Sequence, residues 1–150
     1  RSTSSAASDV YKRQFSERVW LSWTNRGHQP DQLPSTEALS KAVDFSIEAD
    51  VECTLINCSH ADMASNSIKE LKRASRFGIF ANSSTFKEVD LSVATKDVDA
   101  IHHLNSEEIS AKEYAMIALS WAKEGAFVVG GCCGTTVEHT REIKLLMDSL

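Results

Sequence analysis

The sequence predicts an α/β domain built on a parallel sheet, in which four strands are each followed by a helix. Two observations carry this reading. Short runs of apolar, β-branched and aromatic residues alternate along the chain with longer segments of helical period. Cysteines stand where two of those runs stop, the end of a parallel strand at which α/β folds place their chemistry. A small open sheet and half of an eight-stranded barrel both fit the alternation.

Residues 1–14, RSTSSAASDVYKRQ, are small and polar and carry no apolar period, so they read as a non-native or disordered tail ahead of a domain over 15–150. Val19–Trp23 is the first strand. A polar loop with Gly27, Pro30 and Pro34 leads to Ser35, placed to cap a helix with Leu39, Ala42, Val43 and Ile47 on one face. Thr54–Cys58 is the second strand, followed by a helix over Asp62–Arg76 with Ile68, Leu71 and Ala74 inward. Gly78–Ala81 is the third strand, ending at Asn82-Ser83-Ser84. From Thr85 to Asn105 the signals are weak, with one short strand at Val98–Ile101, and Glu107-Glu108 reads as a solvated helix approach. Ser110 and Glu113 form a capping box for a helix with Tyr114, Ile117, Ala118 and Trp121 inward, which Gly125 ends. Ala126–Gly130 is the fourth strand. Thr135 and Glu138 offer a second capping box, and the last helix faces inward with Ile143, Leu146, Met147 and Leu150.

The 150 residues are enough for one domain with a real core. A formal net charge of −5 and the lack of a basic stripe argue against nucleic acid. Apolar runs fall far short of the roughly 20 residues that span a bilayer, and the first residues contain no secretory apolar region. Four cysteines in no scaffold-like spacing suit a reducing cytosol with free thiols.

Cys132 and Cys133 lie inside Gly130-Gly131-Cys132-Cys133-Gly134-Thr135-Thr136, and Cys58 ends the second strand. Zinc favours thiolate sulfur, and a catalytic site keeps one of four tetrahedral positions open. Cys58, Cys132 and Cys133 supply the three ligands such a site needs. The doublet also reads as two small hydrophobes in a tight turn. Cys53 precedes its strand without a glycine context and reads as packing. His60 lies near the same strand end, while His102 and His103 read as surface residues. Trp20, Trp23 and Trp121 read as core or barrel-layer residues.

Val129–Thr136 with Glu138-His139 resembles the C-terminal signature of the homocysteine S-methyltransferase family. Leu55-Ile56-Asn57-Cys58 resembles that family's upstream zinc-cysteine strand, and Val19–Thr24 and Ile79–Ser83 resemble two further barrel strands. The matches run in family order from Phe15 to Leu150. The resemblance implies the C-terminal half of a (β/α)8 TIM barrel, with Zn2+ held by Cys58, Cys132 and Cys133. Val137 stands where the family usually has proline and Thr140 where it usually has an aliphatic residue; neither is a ligand. The family's N-terminal half, with its glycine-rich opening strand and a glutamate that helps hold the amino acid, has no counterpart here.

The implied reaction is methyl transfer to the thiol of homocysteine, giving methionine, from a small donor carrying its methyl on a sulfonium, an ammonium or methylfolate/cobalamin. Homocysteine sulfur then takes the open position, where zinc keeps it deprotonated. Asn57 and Asn82, at strand ends, are candidates for substrate contacts or, equally, for satisfying nearby backbone groups. The missing half of the barrel is the implied partner, and the fragment alone is expected to be inactive. The alternative is a non-enzymatic thiol-rich module that binds soft metals or senses redox state.

Overall fold

The computed structural model describes residues 18–25, 27, 29–86 and 106–149. The tail expected at 1–14, the strand expected at Val98–Ile101, the histidines His102 and His103, and Leu150 lie outside the described residues. The main chain runs β1 (Trp20–Trp23), α1 (Leu39–Glu48), β2 (Cys53–His60), α2 (Ala61–Asn66), α3 (Ile68–Leu71), β3 (Phe77–Asn82), β4 (Ser84–Phe86), β5 (Ser106–Glu108), α4 (Ala111–Lys123), β6 (Val128–Gly131) and α5 (Val137–Met147).

Four of these strands form one parallel sheet in the order β1-β2-β3-β6. Each βα unit therefore adds its strand beside the previous one. All five described helices add buried residues to one apolar cluster with Ile56, Phe77, Ile79 and Ala81. Strand alternation explains the selection. Residues 77, 79 and 81 of β3 share a face with Ile56, whereas Cys53 and Leu55 of β2 are buried outside that cluster. Helices on one face of the sheet are the arrangement of a barrel wall, not of a doubly wound sheet.

The sheet also curls. Trp20 at the start of β1 and Phe127 just ahead of β6 meet edge to face at 6.2 Å between ring centroids. In a flat sheet three strand spacings would separate β1 and β6 by about 14 Å. Trp20 lies on the face opposite Trp23, whose Nε1–H donates to Ser46 Oγ of α1 at 3.0 Å. Trp121 and Trp23 thus join the helix-side packing, while Trp20 is 42% exposed on the concave side.

Packing, not surface charge, holds the helices in place. Leu39, Val43, Ile56, Leu71 and Ile79 are all fully buried, each contributing about 1.5–3 kcal/mol. Exposed ion pairs such as Lys72–Glu124 and Arg73–Asp44 contribute about 0–1 kcal/mol each.

Several local expectations need correction. Ser35 does not cap α1; its hydroxyl donates to Glu37, and the N-cap position is Ala38. There a backbone hydrogen bond from Leu39 N–H to the Asp31 carbonyl sets the entry, and Ile47 is exposed. The helix expected over Asp62–Arg76 is two short helices broken at Ser67. The Ser67 hydroxyl lies 2.9 Å from Asn25 Nδ2 and 3.0 Å from the Pro30 carbonyl, tying the break to the loop after β1. Glu107 and Glu108 belong to β5, which pairs antiparallel with β4. The capping box of α4 is as expected: Glu113 N–H donates to Ser110 Oγ, and Ser110 N–H donates to the Glu113 carboxylate. At α5 the box moves one residue on, so that Thr136 is the N-cap and His139 Nδ1 accepts its N–H at 3.1 Å.

Candidate metal centre

The C-terminal ends of β2, β3 and β6 meet at one rim of the sheet. Regular alternation would send Cys58 toward the helices, alongside Ile56. It does not go there. Cys58 has φ of 50°, and the β2–β3 register slips by one residue between Asn57 and His60. A bulge of this kind re-aims a side chain at a strand end, and a non-glycine residue held in left-handed backbone marks a site whose surroundings over-determine it.

Asn57 fixes the bulge from below. Its Oδ1 accepts from Ser22 Oγ at 2.9 Å and Thr24 Oγ1 at 3.2 Å, and its Nδ2 donates to Cys58 Sγ at 3.3 Å. The carboxamide thus orients the thiol while being held by β1 and the residue after it.

The double-cysteine turn is held just as closely. Cys132 N–H donates to the Ala81 carbonyl at 2.8 Å, and Ser83 N–H donates to the Cys133 carbonyl at 3.0 Å. Cys133 N–H donates to Asn82 Oδ1 at 3.1 Å, and Thr135 Oγ1 donates to the Cys132 carbonyl at 2.7 Å. The glycines give the close approaches. A Cβ on Gly130 would stand 2.6 Å from the Phe80 ring, and one on Gly134, at φ 75°, would stand 2.5 Å from Ser83 Oγ.

The result brings three thiols together. Cys58 Sγ lies 2.7 Å from Cys132 Sγ, and Cys132 Sγ lies 3.9 Å from Cys133 Sγ. All three sulfurs fall within 4.8 Å of one another. Tetrahedral zinc with sulfur at about 2.3 Å spaces its ligands about 3.8 Å apart. The vicinal pair already has that spacing, and Cys58 needs to withdraw by about 1 Å. An all-sulfur donor set suits a borderline-soft ion. These residues therefore fit zinc.

Without a metal the thiols act on each other's protons. The hydrogen bond with Cys132, then burial, pushes the Cys58 thiol up to about 12. Burial opposes ionisation of Cys132, but hydrogen bonds from Cys58 and Cys133 outweigh it and hold that thiol below its ordinary value. A thiol whose neighbours ease its ionisation is a favourable start for a cation site.

The remaining candidates divide. Asn82 holds the turn through Oδ1, and its Nδ2 makes no hydrogen bond among the described residues. Cys53, at the opposite end of β2, is fully buried and outside the thiol group. His60 turns to β4, with Nδ1 2.9 Å from Ser84 Oγ and its ring against Phe86. Ser22, Thr24 and Ser83 hold the site without having been singled out in the sequence. Small hydroxyl residues at strand ends give no signal of their own until their partners are in place.

The family profile for homocysteine S-methyltransferase matches residues 3–147. No curated protein matches. Among solved structures, the apo form of the homocysteine methyltransferase MmuM from Escherichia coli superposes with a TM-score of 0.63 at 19% identity, over 94% of this chain and 44% of that one. Its oxidized form gives 0.62 at 19% identity, over 97% and 41%. The chain thus spans less than half the length of these relatives.

Proposed function

The chain belongs to the homocysteine S-methyltransferase family, and from that membership we propose that it carries the metal-binding part of a site that transfers a methyl group to the thiol of homocysteine, giving methionine. The observation that carries this reading is the convergence of Cys58, Cys132 and Cys133 within 4.8 Å at one rim of the parallel sheet. Zinc, when bound, supplies a Lewis acid that favours thiolate over thiol at neutral pH.

The chain's own residues do the rest of the local work. Cys58, Cys132 and Cys133 hold the ion. Asn57 orients Cys58 and keeps one amide hydrogen for the amino-acid substrate. Asn82 anchors the Cys132–Cys133 turn and offers Nδ2 to the same substrate. The small methyl donor and the amino-acid head are bound largely by the remainder of the barrel, which these relatives have beyond the 44% this chain covers. The setting we propose is the cytoplasm, where thiols stay reduced. No described helix is long and apolar enough to cross a membrane.

The test is methyl transfer by the intact parent protein with homocysteine or cysteine as acceptor. A pocket matched to one chain length discriminates a single methylene by about 10–200-fold. Preference for homocysteine, abolished by a strong chelator and restored by zinc, supports the proposal. Equal rates with cysteine, or chelator-insensitive transfer, refute it.

A further inference from the structure

Tyr114 of α4 is fully buried, and its hydroxyl lies 2.8 Å from the Ala81 carbonyl of β3 and 2.7 Å from the Gly130 carbonyl of β6. A phenol has one hydrogen to donate, so the two carbonyls share it. Burial lifts the phenol well above its ordinary value, and it stays a donor across the physiological range. Both acceptors are part of the site's frame. The Ala81 carbonyl also receives the Cys132 N–H, and Gly130 lies two residues before that cysteine. Past these two carbonyls β3 leads into Asn82-Ser83 and β6 into the double-cysteine turn, and the Ser83 N–H to Cys133 carbonyl bond continues the contact there.

We infer that Tyr114 is a positioning residue for the metal centre: its hydroxyl clamps the ends of β3 and β6 so that Cys132 and Cys133 meet Cys58. This rests on the metal-site reading above. The ring keeps its own packing, edge to face with Trp121 at 5.7 Å and with His139 at 5.6 Å. Tyr114→Phe therefore removes the clamp and leaves the ring. Ser46→Ala is the control, because it deletes a different buried hydroxyl that serves Trp23 and the Ala42 carbonyl on α1.

The experiment titrates this chain with Co2+ under chelator competition and records thiolate-to-cobalt charge-transfer absorption. Loss of an outer-shell partner of a metal ligand typically weakens metal binding 10–100-fold. Tyr114→Phe is expected to keep a folded circular dichroism spectrum, to bind Co2+ at least about tenfold more weakly, and to absorb less per bound cobalt. Ser46→Ala is expected to lose stability while keeping affinity and spectrum. Wild-type affinity and absorption in Tyr114→Phe overturn the inference and leave the metal site standing. An unfolded Tyr114→Phe, or an equal loss in Ser46→Ala, also overturns it, since the effect then belongs to the fold. Wild-type chain that binds no Co2+ overturns the metal reading and the inference with it.

Discussion

Cys58 Sγ and Cys132 Sγ lie 2.7 Å apart although 74 residues separate them in the chain. The contact depends on two departures from regular structure. One is the left-handed backbone of Cys58; the other is the glycine-flanked turn after β6. Cys53, five positions earlier on the same strand, shows what regular structure does with a cysteine: it is buried and raised by desolvation.

That contrast gives a prediction on metal content. Single Cys58→Ser, Cys132→Ser and Cys133→Ser changes should each abolish stoichiometric zinc, read by atomic emission after gel filtration. Cys53→Ser should keep its zinc while losing about 1–3 kcal/mol of stability for a poorly partnered buried hydroxyl. Zinc loss in Cys53→Ser with retained fold would falsify the assignment.

Gly134→Ala tests the turn without touching a ligand. The residue has φ 75°, and its new Cβ would meet Ser83 Oγ at 2.5 Å. Forcing a side chain into such backbone costs about 1–3 kcal/mol. We expect a lower urea midpoint together with weaker metal binding. Unchanged metal affinity would show that the turn tolerates the shift.

The α4 cap gives a pH dependence. Hydrogen bonds from the Ser110 side chain and backbone hold the Glu113 carboxyl below its ordinary 4.5. A carboxyl lowered in the folded state contributes stability above the unfolded value and loses it as pH falls through the folded one. Ser110→Ala should lower Tm at pH 7 by about 2–5 °C. The deficit should shrink as pH drops below 4.5. A deficit constant down to pH 3 would mean that the carboxylate takes no part in the cap.

The sequence made the four sheet strands legible to within a few residues, because each is a compact apolar run bounded by polar or glycine-rich segments. The thiol trio was legible because its members stand at the C-terminal rim of the sheet, Cys58 near the end of β2 and Cys132 and Cys133 just beyond β6. Other features depend on partners distant in the chain. Ser67 breaks a helix through Asn25 and Pro30. The three-residue strands β4 and β5 exist through their mutual pairing, with no alternation of their own. His139 replaces Glu138 in the last cap because its ring nitrogen reaches Thr136. The left-handed backbone at Cys58 had no glycine to announce it.

The chain by itself should bind metal yet fail to turn over homocysteine. Among the described residues β1 and β6 each pair on one side, and an unpaired edge is a template for association. Sedimentation should show concentration-dependent self-association, and the methyl-transfer assay should stay at background. A monomer that methylates homocysteine would overturn both expectations.

Zinc X-ray absorption on the purified chain reads the donor set itself. One zinc per chain is expected, with three protein sulfurs at about 2.3 Å, and a fourth sulfur when homocysteine is added to the intact parent protein. Fewer than three sulfurs in the wild type, or a sulfur shell unchanged in Cys58→Ser, would contradict it.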